Sequence, residues 1–420
     1  MMNIQLSVQG SFLKCKFSFK SFMRQIYLNI LILRDWLKKS LPLGKVRLRR
    51  IRNGLFILPL LFILGCDSPV DNNPAEKLTS LVNLNVYIAD ESYKTLLENK
   101  NFNLNVPAEI FYSDKRYTGT IEAQGAGSRY FPKWGFTINL TDGNTIEGLT
   151  NFNLSIQQYD RAKVRTKLAS YLYRQLGFYV FNSSAAFLRI NDNNRGLYLL
   201  TERIDESFFA GRGLNVNELV KVAFGAKFSF ADENHLSDNF EKKIPDDNNF
   251  NGLAEFIHAL DTVQVKNIFS LNRYFDIEQY MLYHAVSSIM NNTDGLTNNF
   301  YLYKKNAREA FSIIPWDFDK TFDPNAGFGL YGENDISKKL FRSDSCYGMY
   351  KSLVKKVIDH YFTAENLFPI IDSEYEKIKE AYYLDPYLGL AGMSLENEIG
   401  ILKNFITERR KQVEEMLLNN

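Results

Sequence analysis

Between residues 291 and 319 the chain carries Asp294, Asn299, Asp317 and Asp319 on two short polar stretches. The aromatic run Phe300-Tyr301-Leu302-Tyr303 and the apolar run Ile313-Ile314-Pro315 separate them. Carboxylate and amide oxygens are the donors that hard divalent cations prefer. Phosphoryl transfer needs such metals, positive charge and alignment, and little covalent help from the protein. One Asp in a loop more often makes a turn. Four oxygen-bearing side chains on adjoining loops argue for a site, because buried carboxylates are costly without a partner.

The surrounding elements must present these groups. Phe275 to Met290 has the apolar spacing of a core helix, and His284 on that face reads as a packed histidine. The polar loop follows, then an aromatic strand, a hairpin and a second strand ending at Asp317. Earlier in the chain, strands are expected near 84–88, 106–112, 117–123 and 136–140, with a short helix at 93–98. The third of these strands runs into Gly125-Ala126-Gly127-Ser128-Arg129, with Lys133 just beyond. Gly125 and Gly127 would let backbone N–H groups approach phosphate oxygens, and Ser128 can donate a hydrogen bond. Arg129 can fork onto a phosphate, and Lys133 can supply a point charge. A lone Gly-x-Gly turn is structural more often than not. Asp160 is positioned to cap a helix from about Arg161 to Leu176, which Gly177 ends. A hairpin over 185–201 follows and exits through Glu202-Arg203-Ile204-Asp205. Residues 206–272 read as a less regular insertion or substrate-facing segment with a helix near 252–260, and residues from about 335 onward mainly as amphipathic helices.

The front of the chain has another character. Residues 44–66 read as an export signal, with Lys45, Arg47, Arg49, Arg50 and Arg52 before the apolar run Leu55 to Leu64. That run is too short to span a bilayer. It ends in Leu64-Gly65-Cys66, which resembles the lipobox of bacterial lipoproteins and implies lipid attachment at Cys66. A plain secretory signal or a short anchor helix is the alternative. The expected divisions are thus 1–66, extension and signal; 67–80, polar tether; 81–205; and 206–420. The net charge of +2 owes much to residues before 53. The remainder is acidic, and nothing in the balance points to nucleic acid. Cys15, Cys66 and Cys346 have neither metal-ligand spacing nor a disulfide framework, which argues against a zinc site.

Taken together, several stretches resemble the CotH kinase family, the atypical spore-coat kinases. They are Gly125 to Lys133, the Asp160-to-Gly177 helix, Gly196 to Asp205, Asp294 to Tyr303 and Pro315-Trp316-Asp317-Phe318-Asp319. Asp294 and Asn299 also keep the four-residue gap of a protein-kinase catalytic loop. The resemblance implies an α+β, two-lobed, divergent protein-kinase-like fold. Its β-rich small lobe would span 81–205 and its mainly helical large lobe 206–420. It implies ATP with Mg²⁺ or Mn²⁺, and transfer of the γ-phosphate to Ser or Thr of extracytoplasmic proteins. By position, Lys133 would contact phosphate and Asp294 would be the catalytic-loop acid, orienting or deprotonating the acceptor or holding metal. Asn299 and Asp317 would bind metal with Asp319 assisting, and Glu202 would lie at the nucleotide-side exit of the small lobe. Unlike a standard kinase, the Arg161–Leu176 helix has no acidic residue to pair with Lys133. Two other outcomes stay open: a surface lipoprotein acting as a binding or structural module, and transfer of AMP instead of phosphate.

Overall fold

Burial alternates along β1 (Val82–Tyr87): Val82, Leu84 and Val86 are buried, and Asn83, Asn85 and Tyr87 are less so. That period of two is what a strand covering one side of a core requires. The structure, a computed structural model, describes residues 78, 80–125, 127–229, 235–326, 329–331 and 334–419. The signal, Cys66 and nearly all of the tether lie outside the described residues.

After β1 come α1 (Asp90–Glu98), β2 (Val106–Tyr112) and β3 (Lys115–Gln124). The β2–β3 hairpin turns through Ser113 and Asp114, both at positive φ (48° and 59°), as a two-residue hairpin turn demands. Next are β4 (Gly135–Leu140), β5 (Asn151–Ser155), α2 (Arg165–Gln175), β6 (Ser183–Ile190) and β7 (Asn193–Glu202). β6 pairs in parallel with β1, from Val82 opposite Ala186 to Val86 opposite Ile190. That pairing closes the strands into a barrel in the order β1-β2-β3-β4-β5-β7-β6. Closure leaves no edge strand to be protected. Leu84, Ile110, Ile121, Phe136, Phe152 and Leu188 fill the interior.

Residues 206–272 depart from the irregular insertion expected of them. They contain β8 (Glu218–Val222) and β9 (Phe240–Ile244) as well as the expected helix, α3 (Asn251–Thr262). The two strands complete a sheet, β11-β10-β8-β9, with β10 (Phe300–Lys304) and β11 (Ser312–Pro315). Charged residues mask their alternation, and those charges pair. Lys221 meets Glu241 across the ladder at 3.1 Å, and Lys242 meets Glu218 at 2.8 Å. α4 (Ile277–Ile289) and the short α5 (Thr293–Thr297) precede the β10–β11 hairpin. The chain then builds α6 (Asp344–His360), α7 (Ala364–Leu384) and α8 (Leu395–Leu418). His284 is packed in the core as expected, near Tyr350 Oη at 3.2 Å.

α2 also differs from expectation at its start. Asp160 does hold the helix end, accepting the backbone N–H of Arg165 at 2.8 Å. Lys163 sits at φ 59°, so helical geometry begins only at Arg165. The apolar face of α2 (Leu168, Leu172, Tyr173) joins not the barrel interior but a second core, built with α4, β10 and α6 to α8 and called the large lobe below. The Tyr173 ring stacks on Tyr283 and Phe318, and its hydroxyl bonds Ser287 Oγ at 2.6 Å.

Candidate active site

The Asp276 carboxylate caps α4 by accepting the Gln279 N–H. Beyond the end of α4, the Asn292 side chain accepts the Gly295 N–H at 3.1 Å and starts α5, which carries Asp294 in its first turn. Asn299 follows in the left-handed region at φ 60°. Its N–H donates to the Val222 carbonyl of β8, and its carbonyl accepts the Trp316 N–H, both at 3.1 Å. The hairpin register, Phe300 opposite Pro315, therefore sets Asn299 beside Trp316 and Asp317. Asp317 is also left-handed, at φ 57°. Asn and Asp are the non-glycine residues that enter this region most readily, so each can turn the chain sharply at the mouth of the hairpin.

The charges there are incompletely balanced. Part of the Asp317 side chain meets water, and the rest of it is crowded by protein. Burial pushes its carboxyl well above the usual range, and the charges of Asp319 and Asp294 add to the effect. Burial raises Asp319 as well, although it accepts the Tyr159 N–H at 3.3 Å and faces Lys163 and Lys320. Asp294 pairs with Lys320 at 2.7 Å. Burial pulls the Lys320 ammonium down, but the hydrogen bond and charge of Asp294 win and raise it. Among the described residues, no three His, Cys, Asp or Glu side chains converge as a ready-made metal cage. The set is instead two carboxylates with mutual repulsion, one amide beside them and a third carboxylate held by lysine. Two carboxylates completed by water and phosphate oxygens are what Mg²⁺ ordinarily takes, so the donor chemistry fits a hard cation.

A cleft of about 1350 Å³ adjoins this loop. Its lining includes Thr293 and Lys320, the chain neighbours of Asp294 and Asp319, and the basic residues Lys133, Arg161, Lys163 and Arg165. Lys133 is buried and donates to Asp385 Oδ2 at 2.5 Å and to the Leu197 carbonyl at 2.6 Å. Burial pulls its ammonium down to about 7; Asp385 opposes this, and Lys163 and Arg195 reinforce it. Lys163 donates to the carbonyls of Ile156 and Gln157 at 2.8 and 2.7 Å. Burial lowers its pKa also, against the pull of Asp160, Asp385 and Asp319. Arg165 reaches from α2 to the Thr321 carbonyl at 3.0 Å.

Of the expected site residues only Lys133 lines the cleft; Asp294, Asn299, Asp317 and Asp319 stand on the loops beside it, and the glycine turn and Glu202 lie apart from it. Gly125 turns the chain out of β3 at φ 94°, and Ser128 Oγ donates back to the Gln124 carbonyl at 3.2 Å. Gly127 stands at the start of a short 3₁₀ turn. Arg129 Nη2 bonds Asn103 Oδ1 at 2.6 Å and the Ala123 carbonyl at 2.8 Å, which ties the turn to the barrel. Glu202 likewise serves the fold: both oxygens accept from Arg212 at 2.7 Å, and one also accepts the Asn182 N–H at 2.8 Å. In this structure its acceptor sites face protein donors. Sequence reasoning missed Asp385, Lys163, Arg165 and Lys320. Asp385 lies 252 positions from Lys133, and no local pattern connects them.

Comparison with known proteins supplies the lineage. The family model described as CotH kinase protein matches residues 121–413. Inner spore coat protein H of Bacillus subtilis (strain 168) is 26% identical over 340 residues, covering 74% of this chain and 91% of that one. Among solved structures, a Golgi casein kinase matches with 10% identity and a TM-score of 0.32, covering 78% of this chain and 75% of that one. The same kinase with Mn/ADP bound matches with 11% identity and a TM-score of 0.30, covering 78% and 77%. The Helicobacter pylori proinflammatory kinase CtkA matches with 12% identity and a TM-score of 0.28, covering 76% and 95%. The family match takes in both the barrel strands from β3 onward and the Asp294–Asp319 loops, and the chain belongs to the CotH kinase family.

Proposed function

We propose that this CotH-family protein is an ATP-dependent kinase that transfers the γ-phosphate to Ser or Thr of an extracytoplasmic protein while lipid on Cys66 tethers it to a membrane. The observation that carries this reading is the β10–β11 register. Pairing of Phe300 with Pro315 leaves Asn299 and Asp317 at the same end of the hairpin, and the nearby cleft is lined by Lys133, Arg161, Lys163 and Arg165 as well as by Asp323, Glu396 and Glu398, which supports this reading. In this reading Asp317, Asp319 and Asn299 hold Mg²⁺ or Mn²⁺. The cation, when bound, neutralises charge on the transferring phosphoryl group. Lys133, with Lys163 and Arg165 of the same cleft lining, attracts the phosphates. Asp294 orients the acceptor hydroxyl and takes its proton. The cleft is larger than a typical small-molecule pocket of roughly 300–1,000 Å³, which leaves room for an acceptor segment beside a nucleotide.

The Asp294–Lys320 ion pair favours a second reading, a surface module that binds nucleotide without transferring phosphate. Incubation with γ-labelled and α-labelled ATP, with Mg²⁺ or Mn²⁺, separates the outcomes. Protein labelled from the γ position only is expected. Label from the α position would establish AMP transfer, and no label with intact nucleotide binding would establish the module. Asp317→Ala is expected to lower labelling by at least a hundredfold; unchanged labelling would refute the metal-site assignment.

A further inference from the structure

α2 contains no acidic residue, yet Lys133 is buried and needs a counter-charge. The carboxylate that supplies it belongs to Asp385, the residue at the C-terminal end of α7, whose backbone N–H closes the helix on the Tyr382 carbonyl. Asp385 is fully buried and its Oδ2 accepts from Lys133 Nζ at 2.5 Å. The same oxygen accepts the Leu197 N–H at 2.6 Å, and Oδ1 accepts the Tyr387 N–H at 2.7 Å. The barrel is shaped to admit it. Gly196 in β7 sits at φ 85°, and a Cβ there would land on the Asp385 carboxylate. Asn194 Nδ2 holds the preceding Leu384 carbonyl at 2.8 Å. A lysine ammonium has three donors. Asp385 and the Leu197 carbonyl take two, the Tyr198 ring lies 4.5 Å from Nζ, and Lys133 lines the cleft. The arrangement fixes the ammonium while leaving a donor for a ligand.

We propose that Asp385 is the positioning residue for Lys133, so that the end of α7 aims the lysine at the nucleotide phosphates. This rests on the nucleotide-binding reading above. A residue acting through Lys133 affects phosphate recognition and leaves recognition of the base alone.

Calorimetry on the full chain with two probes, MgADP and adenosine, tests this. Asp385→Asn and Lys133→Met should each weaken MgADP binding roughly tenfold, the lower end of what losing an orienting partner costs a ligand site. Adenosine affinity should not change. The double variant should be no weaker than Lys133→Met, because the two residues act as one unit. Gly196→Ala removes no charge but pushes the Asp385 carboxylate aside, and it should reproduce the split between probes. It carries the test should Asp385→Asn fail to fold. Equal loss of both probes, or further loss when Asp385→Asn is added to Lys133→Met, would show Asp385 to be an independent structural latch and overturn the proposal. A wild-type chain that binds neither probe would overturn the nucleotide reading and this proposal together. Wild-type binding without the split overturns only the role of Asp385.

Discussion

Asp160 does two jobs with one carboxylate. Oδ2 receives the Arg165 N–H, while Oδ1 has no hydrogen-bond partner and only the Arg165 guanidinium at 3.8 Å. Burial pushes its carboxyl up to about 6, although Arg165 and Lys163 pull it back. The folded pKa thus lies above the ordinary value of 3.8, and the unfolded chain releases this proton first. Between about pH 4 and pH 6 the folded state holds more protons, so this group's contribution to stability declines as pH rises. A shift of roughly two units corresponds to about 3 kcal/mol. Urea unfolding of the wild type and of Asp160→Asn across that range should show the wild type losing ground by up to about 3 kcal/mol relative to the variant. A stability difference that stays flat with pH would show that Asp160 titrates as it does in the open chain.

At the scale of elements, the exit from β7 is held by the Glu202–Arg212 fork. Arg212 also lies over the Phe208 ring at 3.7 Å and donates to the Val180 carbonyl at 3.2 Å. Glu202→Gln keeps the shape but leaves a largely buried guanidinium short of its counter-charge. It should cost about 2–3 kcal/mol of stability, somewhat below the 3–5 kcal/mol for breaking a fully buried pair because Arg212 is partly exposed. MgADP affinity should hold, which calorimetry on the folded variant checks; a selective loss of nucleotide would return Glu202 to the binding site. The same elements show what the sequence made legible. Strong alternation gave away β1 and the β2–β3 hairpin. Apolar spacing gave away α4, and the flanking turn residues bounded the β10–β11 hairpin that carries Asn299 and Asp317. β8 and β9 were hidden because Lys221, Glu241 and Lys242 occupy their less buried positions and only the assembled ladder pairs them. The partners of Arg129 and Glu202 were hidden for a related reason: a charged residue next to a glycine turn or a strand exit looks unpaired in sequence, whereas here Asn103 and Arg212 bond these two.

At the scale of the molecule, the question is whether barrel and large lobe melt as one. α2 lies between β5 and β6 in sequence but buries Leu168, Leu172 and Tyr173 in the large-lobe core. Removing the large lobe would strip the cover from that face. Polar ties cross in the same region: Lys133 to Asp385, the Tyr159 N–H to Asp319, Arg165 to the Thr321 carbonyl, and Asn194 to the Leu384 carbonyl. Apolar burial that spans both lobes makes separate unfolding expensive, since opening one lobe exposes part of the other's core. Two tryptophans report on the two lobes. Trp134 is buried in the barrel against Phe136, and Trp316 packs on Phe181 and Tyr301 in the large lobe. In a full chain carrying Trp36→Phe, adding Trp316→Phe leaves fluorescence from the barrel, and adding Trp134→Phe leaves fluorescence from the large lobe. Each single-tryptophan chain should show the same urea midpoint by fluorescence as by far-ultraviolet circular dichroism. An earlier fluorescence midpoint for Trp134 alone would mean that the barrel opens first and that α2 stays with the large lobe when it does. Lys133 would then leave Asp385 in the first step of unfolding, and a nucleotide that bridges the lobes in the way proposed above should bring the two transitions back together.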